Sequence, residues 1–162
     1  MNGRDPFPDL VLRPADTTDL GAIAAAYRSL SRESLYHRFF TLLPDPTPLV
    51  AHHLAIVDHE DHEALLVLDR DEVVAVAQWD RLRDRPDEAE IAVAVAEAWQ
   101  RRGLGRALVR ALAGDAHRHG ITALNADVLT ENRAAAGLAH SQRPAETGVD
   151  GSETRYVFPL AS

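Results

Sequence analysis

The sequence predicts an α/β fold of the α+β kind: a central mixed, mostly antiparallel twisted sheet of six to seven strands flanked by helices. Three observations lead there. Ile91, Val93 and Val95 alternate with Ala92, Ala94 and Ala96, the period of two that a strand requires, with almost no polar residue to face water, so this strand is central. It runs through Gln100-Arg101-Arg102-Gly103-Leu104-Gly105 into a helix on which Leu104, Leu108, Ala111 and Leu112 recur at helical spacing. Segments 63–68 and 73–80 flank the polar turn Asp69-Arg70-Asp71 and read as an antiparallel hairpin. The 162 residues suit one domain, residues 1–162.

The elements follow in order. Residues 10–13 form a first strand, closed by Pro14. Asp16 or Thr17 caps a helix over about 18–30, with Leu20, Ile23, Ala24 and Tyr27 on its apolar face. Ser31 starts a second helical piece in which Leu35, Phe39 and Phe40 read as core and Arg32 and Arg38 as solvated. Thr47-Pro48 is an N-cap and N1 pair for a third helix reaching Val57. After the hairpin, the charged loop 81–87 carries Arg81, Arg83 and Arg85 into water. Trp79 and Trp99 read as core or sheet-edge packing. Gly120 closes the long helix. Residues 123–129 make a strand that a right-handed crossover lays parallel to the central one. Asn132 opens a short helix that Gly137 weakens by about 1 kcal/mol. Strands 146–149 and 153–160 then turn on Asp150-Gly151.

Composition excludes whole classes of function. There is no cysteine, hence no disulfide framework, thiolate metal site or cysteine nucleophile. The net charge of -8 argues against non-specific binding to nucleic acid or to an anionic membrane. Every basic residue is an arginine, which removes Schiff-base chemistry and a Walker lysine. The apolar runs fall short of the roughly 20 residues of a membrane span, and residues 1–8 lack a signal-peptide apolar core. A cytoplasmic protein is expected. Of His52, His53, His59 and His62, with Asp58 and Asp61, the two on the expected third helix have no second histidine one turn on, the residue four after His52 being Ile56. The histidines read as solvated, and no metal is expected.

The strand-turn-helix stretch carries the chemistry. A helix N-terminus offers unpaired N–H groups and the positive end of the helix dipole, a seat for phosphate. Gly103 and Gly105 let the backbone approach a bulky anion, and Arg101, Arg102 and Arg106 add positive charge. A diphosphate-bearing cofactor is the reading. Gly103-Leu104-Gly105-Arg106-Ala107-Leu108 fails as a dinucleotide fingerprint, because Leu108 fills the third small position and an antiparallel hairpin precedes it. Glu88, Glu90, Ala92 and Ala94 share one strand face. A carboxylate beside small alanines leaves room for a ligand, and partial desolvation would raise its pKa toward that of a base working near neutral pH.

With these motifs the chain resembles the GCN5-related N-acetyltransferase (GNAT) superfamily. The motif is Gln100-Arg101-Arg102-Gly103-Leu104-Gly105, followed by Val128-Leu129-Thr130-Glu131-Asn132-Arg133-Ala134. Residues 31–40 and Val57-Asp58-His59 are similar to the bacterial branch that includes protein-lysine acetyltransferases. The resemblance implies a GNAT fold and acetyl-CoA as co-substrate. Ala94, Val95 and Ala96 would pair with the pantetheine arm, an N–H near Val95 facing the thioester oxygen. The N–H groups of Arg101, Arg102, Gly103, Leu104, Gly105 and Arg106 would hold the pyrophosphate. Asn132 would touch the cofactor, and Glu90 would be the general base. The acceptor would be a primary amine, a small molecule or a protein lysine, and the acidic surface suits a cation. An exposed terminal strand could pair two subunits into a homodimer.

One departure stands out. The family's usual tyrosine, seven residues after the asparagine, is Ala139 here, and its later Gly-Phe is Arg143-Pro144. Tyr156, Tyr36 or His140 could replace the missing acid. Alternatively a thiolate with a solution pKa of about 8.5 leaves unaided. The remaining alternative is a catalytically silent acyl-CoA-binding module.

Overall fold

The structure, a computed structural model, describes residues 7–161. Most of the 1–8 segment, and the extreme ends of the expected 1–162 domain, lie outside the described residues. Seven strands form one sheet in the order β1-β2-β3-β4-β5-β7-β6. They are β1 (Leu10–Pro14), β2 (His62–Asp69), β3 (Glu72–Arg81), β4 (Glu88–Val95), β5 (Ala123–Leu129), β6 (Glu146–Asp150) and β7 (Glu153–Pro159). Every neighbouring pair is antiparallel except β4 and β5. Five helices cover it: α1 (Leu20–Arg28), α2 (Arg32–Phe39), α3 (Thr47–Ile56), α4 (Leu104–Arg118) and α5 (Arg133–Ser141).

Two cores sit on opposite faces because strand side chains alternate. On one face Ala75, Ala77 and Trp79 of β3 and Ala89 and Ile91 of β4 meet Leu104, Leu108, Leu112 and Ala116 of α4. Trp79 is fully buried there, and its indole N–H donates to Asp115 Oδ2 at 2.8 Å, satisfying the one polar atom it brings inside. On the other face Ile23 and Tyr27 of α1 and Val50 and Leu54 of α3 pack on Ala64 and Leu66 of β2 and Val73 and Val76 of β3. That second core stops at β3 and β4, where Ala94 is only partly buried against it. The Glu90 side of β4, β5 and β7 is therefore left for other use.

Several sequence expectations need correction. Asp16 does cap the first helical segment, through a capping box with Asp19, but that first turn is a separate 3-10 piece, Thr17–Asp19, and α1 ends at Arg28. Ser31 caps α2 as expected, accepting from the Ser34 N–H, yet no α2 residue is fully buried. Leu35 and Phe39 only flank the second core, because α2 is a single short helix laid over β3 and β4 at the margin of that core. Phe40 is the left-handed C-cap. Thr47 is the first residue of α3 rather than its cap; the Asp45 carboxylate accepts the Thr47 N–H at 3.0 Å. Arg81 is not a loose loop arginine. It bonds Asp61 at 2.6 Å and the carbonyls of Pro86 and His119 at 2.5 and 2.8 Å, tying the base of β3 to the end of α4.

Candidate active site

β4 and β5 are hydrogen-bonded only at Glu88, Ala89 and Glu90, opposite Ala123, Leu124 and Asn125. Beyond Glu90 the two strands part, and Glu90 stands at the fork. The β3 side of β4 stays paired to its end, from Ala89 opposite Arg81 to Val95 opposite Ala75. The N–H of Ala96 is likewise bonded to the Val74 carbonyl at 2.8 Å. Antiparallel ladder bonds alternate along a strand, so Ala92 and Ala94 turn their backbone groups to β3 with Ala96. Val93 and Val95 turn theirs to the open side. Of the three expected pantetheine contacts, only Val95 presents its N–H and C=O to the fork, and that C=O already accepts the Gln100 side chain at 2.9 Å.

At the far end of the fork lies the start of α4. Its N-cap is Gly103, at φ 86°, and no side chain caps the helix. Arg101 is also left-handed, at φ 60°. The first N–H groups of α4 therefore point outward without a side-chain acceptor, in a turn shaped for an anion. Arg101, Arg102 and Arg106 are exposed, and none has a carboxylate partner among the described residues. The Arg102 guanidinium lies over the Trp99 ring, 4.2 Å from its centroid. Leu104 is buried in the α4 core, and a Cβ on Gly105 would come within 3.2 Å of Leu138. Gly105 is thus small because α5 crosses there. Asn132 is the N-cap of α5, its Oδ1 accepting the Ala135 N–H at 3.2 Å.

Around Glu90 the sheet is strongly polar. Glu88 is engaged: its Oε2 accepts from Arg85 at 2.9 Å and from Asn125 at 2.7 Å. Glu90 has no such partner among the described residues. It keeps access to water through the fork, but protein atoms crowd it. That desolvation, then the charges of Asp127 and Asp80, raise its pKa above the ordinary carboxylate value; Arg155 and Arg38 partly offset them. Asp127 sits on β5, held by Arg155 of β7 in a two-pronged pair at 2.7 and 2.8 Å. Asp80 lies directly across from Glu90 in the β3–β4 register. Burial pushes Asp80 up, yet His53 and His62 outweigh it and leave it lowered.

That last cluster was not legible as a site. His53 Nε2 and His62 Nδ1 lie 2.9 and 2.8 Å from Asp80 Oδ1, and the Gln78 amide N–H donates to Asp80 Oδ2 at 3.1 Å. Arg38 donates to Gln78 Oε1 at 2.9 Å. His53, His62 and Arg38 are therefore not the solvated residues the sequence suggests. The usable signal was Gln78 and Asp80, two polar residues spaced by two in an otherwise apolar strand. Among the described residues no group of three or more histidine and acidic side chains is arranged to hold a metal. Of the three candidate acids, Tyr156 is buried on the α4 face, edge-on to His140 with ring centroids 5.2 Å apart, away from Glu90. Tyr36 lies on α2, on the Glu90 side.

The helices over that side are tied to the fork. The Glu97 carboxylate accepts the Ser31 N–H at 3.0 Å and the Ser34 hydroxyl at 2.7 Å. These donors hold its pKa below the usual carboxylate range. Glu97→Ala should cost at most about 1 kcal/mol, since the clamp is exposed. Urea denaturation of the variant beside Glu97→Gln, which keeps an acceptor, measures it.

The chain that carries this fork, an open strand edge leading from a carboxylate to an uncapped helix start, is similar to known proteins. The model of the acetyltransferase (GNAT) family matches residues 25–142. The chain belongs to that family. Acetyltransferase Pat of Mycolicibacterium smegmatis is 33% identical over 125 residues, which are 76% of this chain and 37% of the relative. The chain thus spans a little over a third of the length of that GNAT relative. The crystal structure of the GNAT domain of S. lividans PAT superposes with TM-score 0.85 at 28% identity, covering 92% of this chain and 89% of the other. YncA from Salmonella typhimurium, a putative acetyltransferase solved with its cofactor acetyl-CoA, shares the GNAT fold at TM-score 0.75, 21% identity and 95% coverage of each chain. Among the described residues no helix is long and apolar enough to cross a membrane.

Proposed function

We propose that this chain is an acetyltransferase domain that moves the acetyl group of acetyl-CoA directly to a primary amine, with Glu90 as general base. The observation that carries the reading is the fork: β4 leaves β5 at Glu90 and leads, through residues 96–103, to the uncapped α4 N-terminus. The residues fit the co-substrate. Arg101, Gly103 and the first N–H groups of α4 would hold the pyrophosphate, and the open edges of Val93 and Val95 would hold the pantetheine arm. Acetyl-CoA supplies an activated thioester carbonyl. Glu90 takes a proton from the acceptor ammonium, and the freed amine attacks that carbonyl. The Val95 N–H stabilises the oxygen as charge gathers there, and the carbon–sulfur bond breaks while the attacking nitrogen gives up its second proton, so that coenzyme A leaves as the thiol or as thiolate with that proton passed to water.

Glu90, the carboxylate of the Asp80, Glu90 and Asp127 cluster that has no ion-pair partner among the described residues, and the net charge of -8 favour a cationic amine such as a lysine side chain or a small polyamine. The domain would work in the cytoplasm, where acetyl-CoA and amine acceptors meet. The exposed β6 edge offers a strand for pairing two subunits. Thiol release from acetyl-CoA over a panel of lysine peptides and small amines is the test. Acetylated product supports the proposal. Coenzyme A binding without any acetylated amine turns the reading to a silent acyl-CoA-binding module, for which Ala139 at the family's tyrosine position is the favouring observation. No coenzyme A binding sinks both.

A further inference from the structure

Beyond the fork lies a second concave feature, a cavity of about 180 Å³ between α1, α2, α3 and the β2–β3 face. Its walls are mostly apolar, with Tyr27, Phe39, Leu54 and Val76 the main surfaces and Leu49 at its rim. Arg38, His53 and Gln78 are the polar residues among them, and His53 is turned to Asp80. The Arg38 guanidinium carbon lies 4.7 Å from the Phe39 ring centroid and 5.9 Å from that of Tyr27. One nitrogen donates to Gln78. The Nε–H, however, is buried with no acceptor, and Arg38 has no carboxylate in ion-pair contact among the described residues. A buried charged donor left unpaired is costly and rare in folded proteins. That Nε–H is closed even to water and does not itself face the cavity; the cavity is lined by Arg38 as a cation without a carboxylate counter-ion, which is complementary to a ligand with an anionic acceptor at one end and a compact hydrocarbon body.

We infer that this cavity is a binding site for a small monocarboxylate, its carboxylate on Arg38 and its branched or aromatic body against Tyr27, Leu54 and Val76. The volume equals about six waters of the liquid, which suits roughly four to six carbons. A phosphate fits less well: one arginine cannot balance a dianion, and the Asp80 carboxylate lies on the far side of the Gln78 amide. The carboxylate could be free, or could be part of the amine acceptor. The inference stands on the cavity alone and does not need turnover.

The test is calorimetric titration of the full chain with isovalerate and benzoate, beside their neutral amides. Isovalerate or benzoate should bind at least tenfold tighter than the matching amide. Arg38→Gln should erase that preference. Leu49→Trp should weaken carboxylate and amide alike by narrowing the mouth; Leu49 is 43% exposed, so the larger side chain fits without disturbing the core. Coenzyme A titration of each variant verifies its fold and separates this site from the fork. Equal binding of acid and amide overturns the inference, as does no carboxylate binding at millimolar concentration, the result for a cavity that holds water only. Where an acceptor is found, competition of isovalerate with it assigns the carboxylate to the acceptor. Binding without competition assigns it to a free ligand, and both patterns support the site.

Discussion

Glu90→Gln should lower kcat/KM for acetyl transfer by about 10²- to 10⁴-fold, the usual worth of a positioned base, while coenzyme A still binds. The wild-type rate should fall as pH drops through the raised pKa of Glu90, and the variant should lose that acid limb. Stability should move the opposite way from activity. A carboxylate whose folded pKa is raised binds more protons folded than unfolded, so stability falls as pH climbs from the ordinary carboxylate value through the raised one. Above that window the wild type carries an ionised group that is desolvated and beside Asp127 and Asp80; below it both states are neutral. Glu90→Gln should therefore melt no lower than the wild type at pH 7 and lose any advantage in acid. Thermal melts across pH measure this. A variant that is inactive and also clearly less stable at pH 7 would mean Glu90 is a structural residue.

The second large effect belongs to Gly103. Its φ of 86° is a conformation that a β-branched residue adopts only under strain. A Cβ there meets nothing within 4 Å, so the protein itself has room and the cost falls on the backbone and on any anion in the turn. Gly103→Val should weaken coenzyme A by about 10- to 100-fold, as expected from strain of about 1–3 kcal/mol at about 1.4 kcal/mol per decade of affinity. Gly103→Asn should lose less, since asparagine tolerates the left-handed region. Calorimetry with coenzyme A reads both. Equal, full affinity in the two variants would mean that the phosphate seat lies elsewhere.

The order of strands and helices was legible because each element has its own periodicity, and the β4-to-α4 stretch carries strand, turn and helix signals within thirty residues. What the sequence hid is set by distance across the sheet. Arg38 reads as solvated since most arginines are; its burial against Phe39 depends on α2 being laid over Gln78, forty residues away. His53 and His62 look like loose surface histidines until the β2–β3 register places Asp80 between them. Which backbone groups of β4 face the fork is likewise a matter of parity, fixed by how β3 pairs and not by residue type. Ala94 and Ala96 lie beside the fork in sequence but turn to β3. Glu88 and Glu90 are alike in sequence; only Arg85 and Asn125, folded against Glu88, tell them apart.

The parting of β4 from β5 also writes an isotope label into the strand. Amides bonded to β3, those of Ala92, Ala94 and Ala96, should exchange deuterium slowly. Those of Val93 and Val95, on the side where β4 is not paired to β5, should exchange fast in the free protein, so protection alternates residue by residue along β4. A pantetheine arm lying in the fork would give Val93 and Val95 acceptors of their own, and the alternation would vanish into uniform protection. Amide exchange resolved along this one strand thus reports occupancy of the fork without any turnover, any acceptor or any mutation.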